Sequence, residues 1–167
     1  MLAGKTVLMT GATGALGHAV SLAFLDAEAK LALTYRDKSK LDELLSALGH
    51  PQGILPVMAD VSVEADVQNV VSVTLGRLGG IDILVNLVGG YWGGVPVAQT
   101  SVADWQRMFD VNLKSCFLCC RAVLPDMLER YVYRGSRDAS SAWQRGLVSR
   151  GPPGTRPIRR PRRGSSF

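Results

Sequence analysis

Residues 10–17 read "TGATGALG", directly after the apolar run "KTVLM" and directly before "HAVSLAFLDA". Three glycines, Gly11, Gly14 and Gly17, stand three apart between a short apolar run and a stretch with helical spacing. A glycine turn joining a first strand to a first helix leaves free backbone N–H groups and the positive end of a helix dipole at one point. Gly11 allows the tight turn, Gly14 leaves a phosphate room to approach the backbone, and Gly17 lets the helix lie close on the strand. Thr10 and Thr13 add hydroxyl groups to the loop. A glycine triplet alone is weak evidence of a nucleotide site, so the rest of the chain has to supply the context.

It supplies alternation. Strands are predicted over 5–10, 30–35, 53–60 and 81–90, and helices over 15–27, 39–49, 62–79 and 101–128. Ser39, Ser62 and Ser101 are the expected N-caps, with acids in the first turns that follow Ser62 and Ser101. "DILVNLV" is apolar on both faces, as a strand covered on both sides must be. Strand–helix alternation of this kind predicts an α/β fold, a Rossmann-type doubly wound parallel sheet of about four to five strands, with right-handed crossovers.

Charge divides the chain. Residues 1–129 hold 9 Lys and Arg against 13 Asp and Glu, whereas 130–167 hold 10 Arg and one acid, Asp138. The second segment is also rich in Gly, Pro and Ser and poor in aliphatics, so it cannot bury enough apolar surface to offset ordering entropy. The expected organisation is a dinucleotide-binding body over 1–129 and a basic, disordered tail over 130–167. No apolar run is long enough to span a bilayer, and no signal peptide is visible. Cys116, Cys119 and Cys120 cluster on one predicted helix, which suits buried core thiols in a reducing, cytoplasmic setting better than disulfides or a metal site. His18 and His50 join no metal-ligand pattern.

Together the glycine loop, "ADV" (59–61), "NLVGG" (86–90) and "FDVNLKSCF" (109–117) resemble the short-chain dehydrogenase/reductase family, over about residues 3–128. The likeness is strongest to 3-oxoacyl-acyl-carrier-protein reductase-like members. It implies an NAD(P)-dependent oxidoreductase that moves hydride between nicotinamide and a small-molecule carbonyl or alcohol, often as a homo-oligomer. The implied cofactor positions are Gly11, Thr13, Gly14, Leu16, Gly17, Asp60, Val61, Asn86, Val88 and Gly89. Asp60 is the implied adenine contact, or an ordinary capping acid. Asn86 and Gly89 match the family's Asn-Asn-Ala-Gly stretch, while Leu87 and Val88 depart from it. The loop departs too, with Ala15 where the usual pattern has glycine. Asn112 corresponds to the helix asparagine that positions water and the catalytic lysine, or is a satisfied structural group.

Cofactor choice turns on "TYRDK". Tyr35 stands where an acid would accept the ribose hydroxyls of NAD, and Arg36 follows, with Lys38 close by. A guanidinium suits a 2′-phosphate, so NADP is favoured over NAD, although Asp37 points the other way. Arg36 and Lys38 also read as a solvated basic turn. "GGYWGG" (89–94) suits a substrate or nicotinamide wall, or a packed loop.

The proton-transfer chemistry is where the resemblance fails. The family's tyrosine depends on a lysine four residues later, because free tyrosine titrates near ~10. Positions four after Tyr35, Tyr91, Tyr131 and Tyr133 are Ser39, Val95, Gly135 and Arg137. "YVYRGSRDA" (131–139) is expected as a fifth strand ending at the family's serine, Ser136. The tail then reads as a truncated or frameshifted family member, catalytically inactive by itself. The alternative is a non-catalytic nucleotide-binding protein whose basic arm meets nucleic acid nonspecifically, or acidic partners.

Overall fold

The computed structural model describes residues 2–144, with side chains to Arg130. Its body, Met1–Arg130, is one compact unit. Four strands, β1 (Thr6–Thr10), β2 (Lys30–Tyr35), β3 (Ile54–Met58) and β4 (Ile83–Asn86), form a parallel sheet in the order β3-β2-β1-β4. The helices are α1 (Ala15–Asp26), α2 (Lys38–Ala47), α3 (Glu64–Leu78), α4 (Val102–Phe109) and α5 (Ser115–Gln144).

Alternation along β1 and β2 explains the two-sided core. Val7, Met9, Leu31 and Leu33 pack with Leu44 of α2 and with Val20 and Phe24 of α1. Leu8 and Ala32 point the other way, onto Val70 and Val71 of α3 and Val123 of α5. Each Val, Leu or Met side chain among them, where fully buried, contributes roughly 1.5–3 kcal/mol. Register places Leu8 between Ala32 and Leu84, so one layer runs across three strands.

Four local expectations are corrected. Asp37, not Ser39, caps α2; its carboxylate accepts the N–H groups of Ser39 (2.9 Å) and Lys40 (3.5 Å). Val63, not Ser62, stands at the N-cap of α3, because Ser62 is already turned onto Asp60. The predicted 101–128 helix is divided by a π-helical turn, Asp110–Lys114, between α4 and α5. Ser101 does cap α4, accepting from Asp104 N–H at 3.0 Å. The expected fifth strand over 131–139 is instead a continuation of α5. A helix completes its backbone hydrogen bonds within itself, whereas a strand there would need a neighbouring strand edge. Residues 145–167, the greater part of the expected disordered tail, lie outside the described residues.

At the amino ends of β1 and β4, Asp82 accepts from Thr6 N–H (3.0 Å) and pairs with Lys5 (3.3 Å) and Arg130 (3.7 Å). Arg130 also donates to Gly79 O at 2.6 Å, tying α5 to the turn before β4. Burial acts to raise the Asp82 pKa, but the Thr6 N–H, Lys5 and Arg130 outweigh it and hold it below the ordinary 3.8. A depressed carboxylate pKa stabilises the fold above the unfolded value, and the gain is lost as pH falls through the folded one. Asp82→Asn is therefore expected to lower the urea midpoint at pH 7 and to have much less effect near pH 3. Equal losses at both pH values would refute the charge argument.

Candidate functional site

The strand order reverses between β1 and β4, so loops leaving neighbouring strands diverge and open a cleft at their carboxyl ends. That cleft has a volume of ≈ 960 Å³. Its walls come from four strand exits: Gly11, Thr13 and Gly14 after β1; Tyr35, Arg36 and Lys40 after β2; Asp60 to Ser62 after β3; Leu87 to Gly90 after β4.

Gly11 has φ +71°, and a Cβ there would stand 2.7 Å from the backbone of Leu87 and Val88. The first loop therefore lies directly on the exit of β4. Gly14 is the N-cap of α1 and offers no side-chain hydrogen bond, so the start of α1 is not occluded. At Gly17 a Cβ would fall 2.0 Å from Ala12 O, which is the close helix approach expected of that position.

On the β2 side, Arg36 Nη1 is 3.4 Å from Asp60 Oδ2. Asp60 is anchored: Ser62 donates its hydroxyl (2.7 Å) and its N–H (2.9 Å) to Oδ1. The Ser62 hydroxyl, then its N–H, then Arg36 keep the Asp60 carboxyl below the usual carboxylate range against the effect of burial. Arg36 is the more exposed partner, with 71% of its side chain exposed against 40% for Asp60. Lys38 pairs with Asp42 along α2 and lies outside the cleft lining, whereas Lys40 is in it. The two lysines sit on different faces of the helix, a distinction that depends on where α2 begins.

Asn112 lies in the π-helical turn. Its Nδ2 donates to Met108 O (2.9 Å) and Gly90 O (3.0 Å), and its Oδ1 accepts from Gly90 N–H (3.0 Å). Asn112 thus clasps the β4 loop to the helix. Asn86 faces away from the cleft: its Oδ1 meets the Thr10 hydroxyl (3.4 Å) and its Nδ2 meets the sulfurs of Cys116 and Cys120.

Of the sequence-derived positions, Gly11, Thr13, Gly14, Arg36, Asp60, Val61, Val88 and Gly89 line the cleft together. Leu16 is 61% exposed and, with Gly17 and Asn86, is not part of the lining. Tyr91 is 92% exposed; of "GGYWGG" only Gly89 and Gly90 reach the cleft. The Ser136 side chain lies outside the described residues. Sequence reasoning missed a further wall, where Gln106, Arg107, Met108 and Val111 stand. Their helical spacing was visible, but the turn that aims them was not. Cys119 is buried, which pushes its thiol up to about 11.

A model of the short chain dehydrogenase family matches residues 5–134. The chain is 36% identical over 124 residues to the NADP-dependent 3-hydroxy acid dehydrogenase YdfG of Escherichia coli (strain K12), covering 74% of this chain and 49% of that protein. It is 36% identical over 143 residues to the (2S)-[(R)-hydroxy(phenyl)methyl]succinyl-CoA dehydrogenase subunit BbsD of Thauera aromatica, covering 83% and 56%. Among solved structures, levodione reductase superposes with TM-score 0.74 at 29% identity, over 78% of this chain and 52% of that one. A short-chain dehydrogenase/reductase (glucose/ribitol dehydrogenase) from Brucella melitensis superposes with TM-score 0.68 at 36% identity, over 75% and 53%. The chain spans about half the length of the relatives it matches.

Proposed function

The chain belongs to the short-chain dehydrogenase family, and from that premise we propose that its cleft binds a nicotinamide dinucleotide, NADP in preference to NAD. Such a cofactor supplies hydride to or from a carbonyl or alcohol carbon. The cleft fits it: its volume suits a ligand of that size, and no Cβ at Gly11 or Gly14 fills the approach to α1. Thr13 and Gly14 would hold the pyrophosphate, Arg36 and Lys40 a 2′-phosphate, Asp60 and Val61 the adenine, and Val88 and Gly89 the far end. Gly17 and Asn86 support these walls from behind.

The observation that carries the NADP reading is the end of β2. Two of the three cleft-lining cations, Arg36 and Lys40, stand there, and Asp37, the acid between them in sequence, is turned into the cap of α2. The relatives named YdfG are NADP-dependent, which agrees with it. Residues 1–129 form the binding body on this reading, and 130–167 a basic arm. The exposed Trp105 and Phe109 of α4, Leu113 of the π-helical turn and Phe117 of α5 suit a homo-oligomer, and three unpaired thiols suit a reducing, cytoplasmic setting. No helix among the described residues is long and apolar enough to cross a membrane.

Hydride transfer also needs a proton at the carbonyl oxygen, and no tyrosine of this sequence has a lysine four residues on. The chain by itself therefore binds cofactor without turnover. Calorimetric titration with both dinucleotides tests this. NADP should bind more tightly, and Arg36→Glu should weaken it about 10- to 100-fold, the worth of a charge-assisted hydrogen bond. Tighter binding of NAD by the unaltered chain would overturn the cofactor reading. NADPH consumption with 3-oxoacyl or simple ketone substrates above the protein-free rate would overturn the catalytic one.

A further inference from the structure

Behind the cleft, on the side that dinucleotide binding does not use, one amide group faces two thiols. Asn86 Nδ2 lies 3.5 Å from Cys116 Sγ and 3.8 Å from Cys120 Sγ. Residues four apart on a helix are neighbours, about 5–6 Å between Cβ atoms. Both residues are half-buried, and both are free thiols. Cys119, three residues after Cys116, is buried and packs with Val61, Val67 and Leu118.

We propose that Cys116 and Cys120 form a dithiol site for a soft thiophilic centre of the trivalent arsenical class. A single bridging atom bonded to both sulfurs spans more than a direct S–S bond of about 2.05 Å, which suits side chains one helical turn apart. A tetrahedral zinc site is a poorer match, because it needs four ligands. Among the described residues no group of three or more His, Cys, Asp or Glu is placed to hold a metal ion. Burial, with Cys116 beside it, holds the Cys120 thiol above its ordinary value. An arsenoxide takes thiols in their protonated form: one As=O group and two S–H groups give two As–S bonds and one water. Arsenic stays trivalent and no electron is transferred. Bridging withdraws the sulfurs from Asn86, whose other contact is Thr10, the last residue before the glycine loop.

The test uses the full chain and phenylarsine oxide. One equivalent should block two thiols, and the adduct should survive an excess of monothiol that strips single-thiol adducts. After iodoacetamide treatment of the unfolded adduct and trypsin digestion, fragmentation of peptide 115–121 should find Cys119 alkylated and Cys116 and Cys120 protected. Cys119→Ser should keep the affinity, while Cys116→Ser or Cys120→Ser should lose about 100-fold, the effective-concentration gain of a second tethered thiol. Protection of a pair that includes Cys119 would overturn the proposal. So would an adduct fully reversed by monothiol in the wild-type chain, a result that does not depend on any variant folding.

Discussion

Gly17→Ala is expected to lower the thermal midpoint of the chain by about 10 °C or more, or to leave it insoluble. The new methyl carbon would stand 2.0, 2.4 and 2.6 Å from the O, C and Cα of Ala12. All three are backbone atoms of a residue with no exposed surface, so no side-chain rotation relieves the clash. Relief requires lifting α1, which would unseat Val20 and Phe24 from Val7 and Met9. Overpacking costs typically about 1–3 kcal/mol and more where backbone must move. For a chain of this size each kcal/mol shifts the midpoint by roughly 2–4 °C. Circular dichroism melting measures it, and a midpoint within about 2 °C of the parent would show that α1 is not seated as described.

Gly14→Val should do the opposite, sparing the fold and abolishing dinucleotide binding. Gly14 has φ −83° and ψ 171°, extended backbone that valine adopts readily. Its Cβ would meet only Gly11 O, at 3.3 Å. As an N-cap, valine is poorer than glycine, at a cost of up to about 1 kcal/mol. The added methyl groups stand instead at the start of α1, where the proposed pyrophosphate approaches. Losing even two charge-assisted hydrogen bonds lowers affinity by at least about 100-fold. Calorimetry and a melt on the same preparation separate the two effects. Full binding by the folded variant would place the phosphate elsewhere.

The contrast between these glycines shows how far sequence reading reaches. Three equally spaced glycines look alike in the sequence, and their assigned roles followed from position between a strand and a helix. Strands such as "TVLMT" and "KLALTY" were legible because burial on both faces leaves an unbroken apolar run. The end of β2 was legible as residue types but not as directions. Lys38 and Lys40 differ by two positions, and only the phase of α2, set by the Asp37 cap, sends one into the cleft and the other to Asp42. Asn86 matched a cofactor motif, yet its amide turned to two cysteines 30 and 34 residues away. The π-helical turn and the wall it aims were not legible, since a π turn and an α turn draw on the same residues.

What the sequence by itself determined was therefore local and periodic: the α/β alternation, the glycine loop, the absence of an acid at Tyr35, and the missing tyrosine–lysine spacing. Those properties reside in neighbouring residues and need no fold to exist. The tertiary structure decided which of these pieces share a site. The order β3-β2-β1-β4 brings four loops, from residues 11 to 90, around one cleft. It pairs Tyr35 with Met58, so that Arg36 and Asp60, 24 residues apart, come within 3.4 Å. Strand order is set by how both faces of the sheet bury their apolar side chains at once. That is a property of the whole packed body, and no short stretch of the chain contains it.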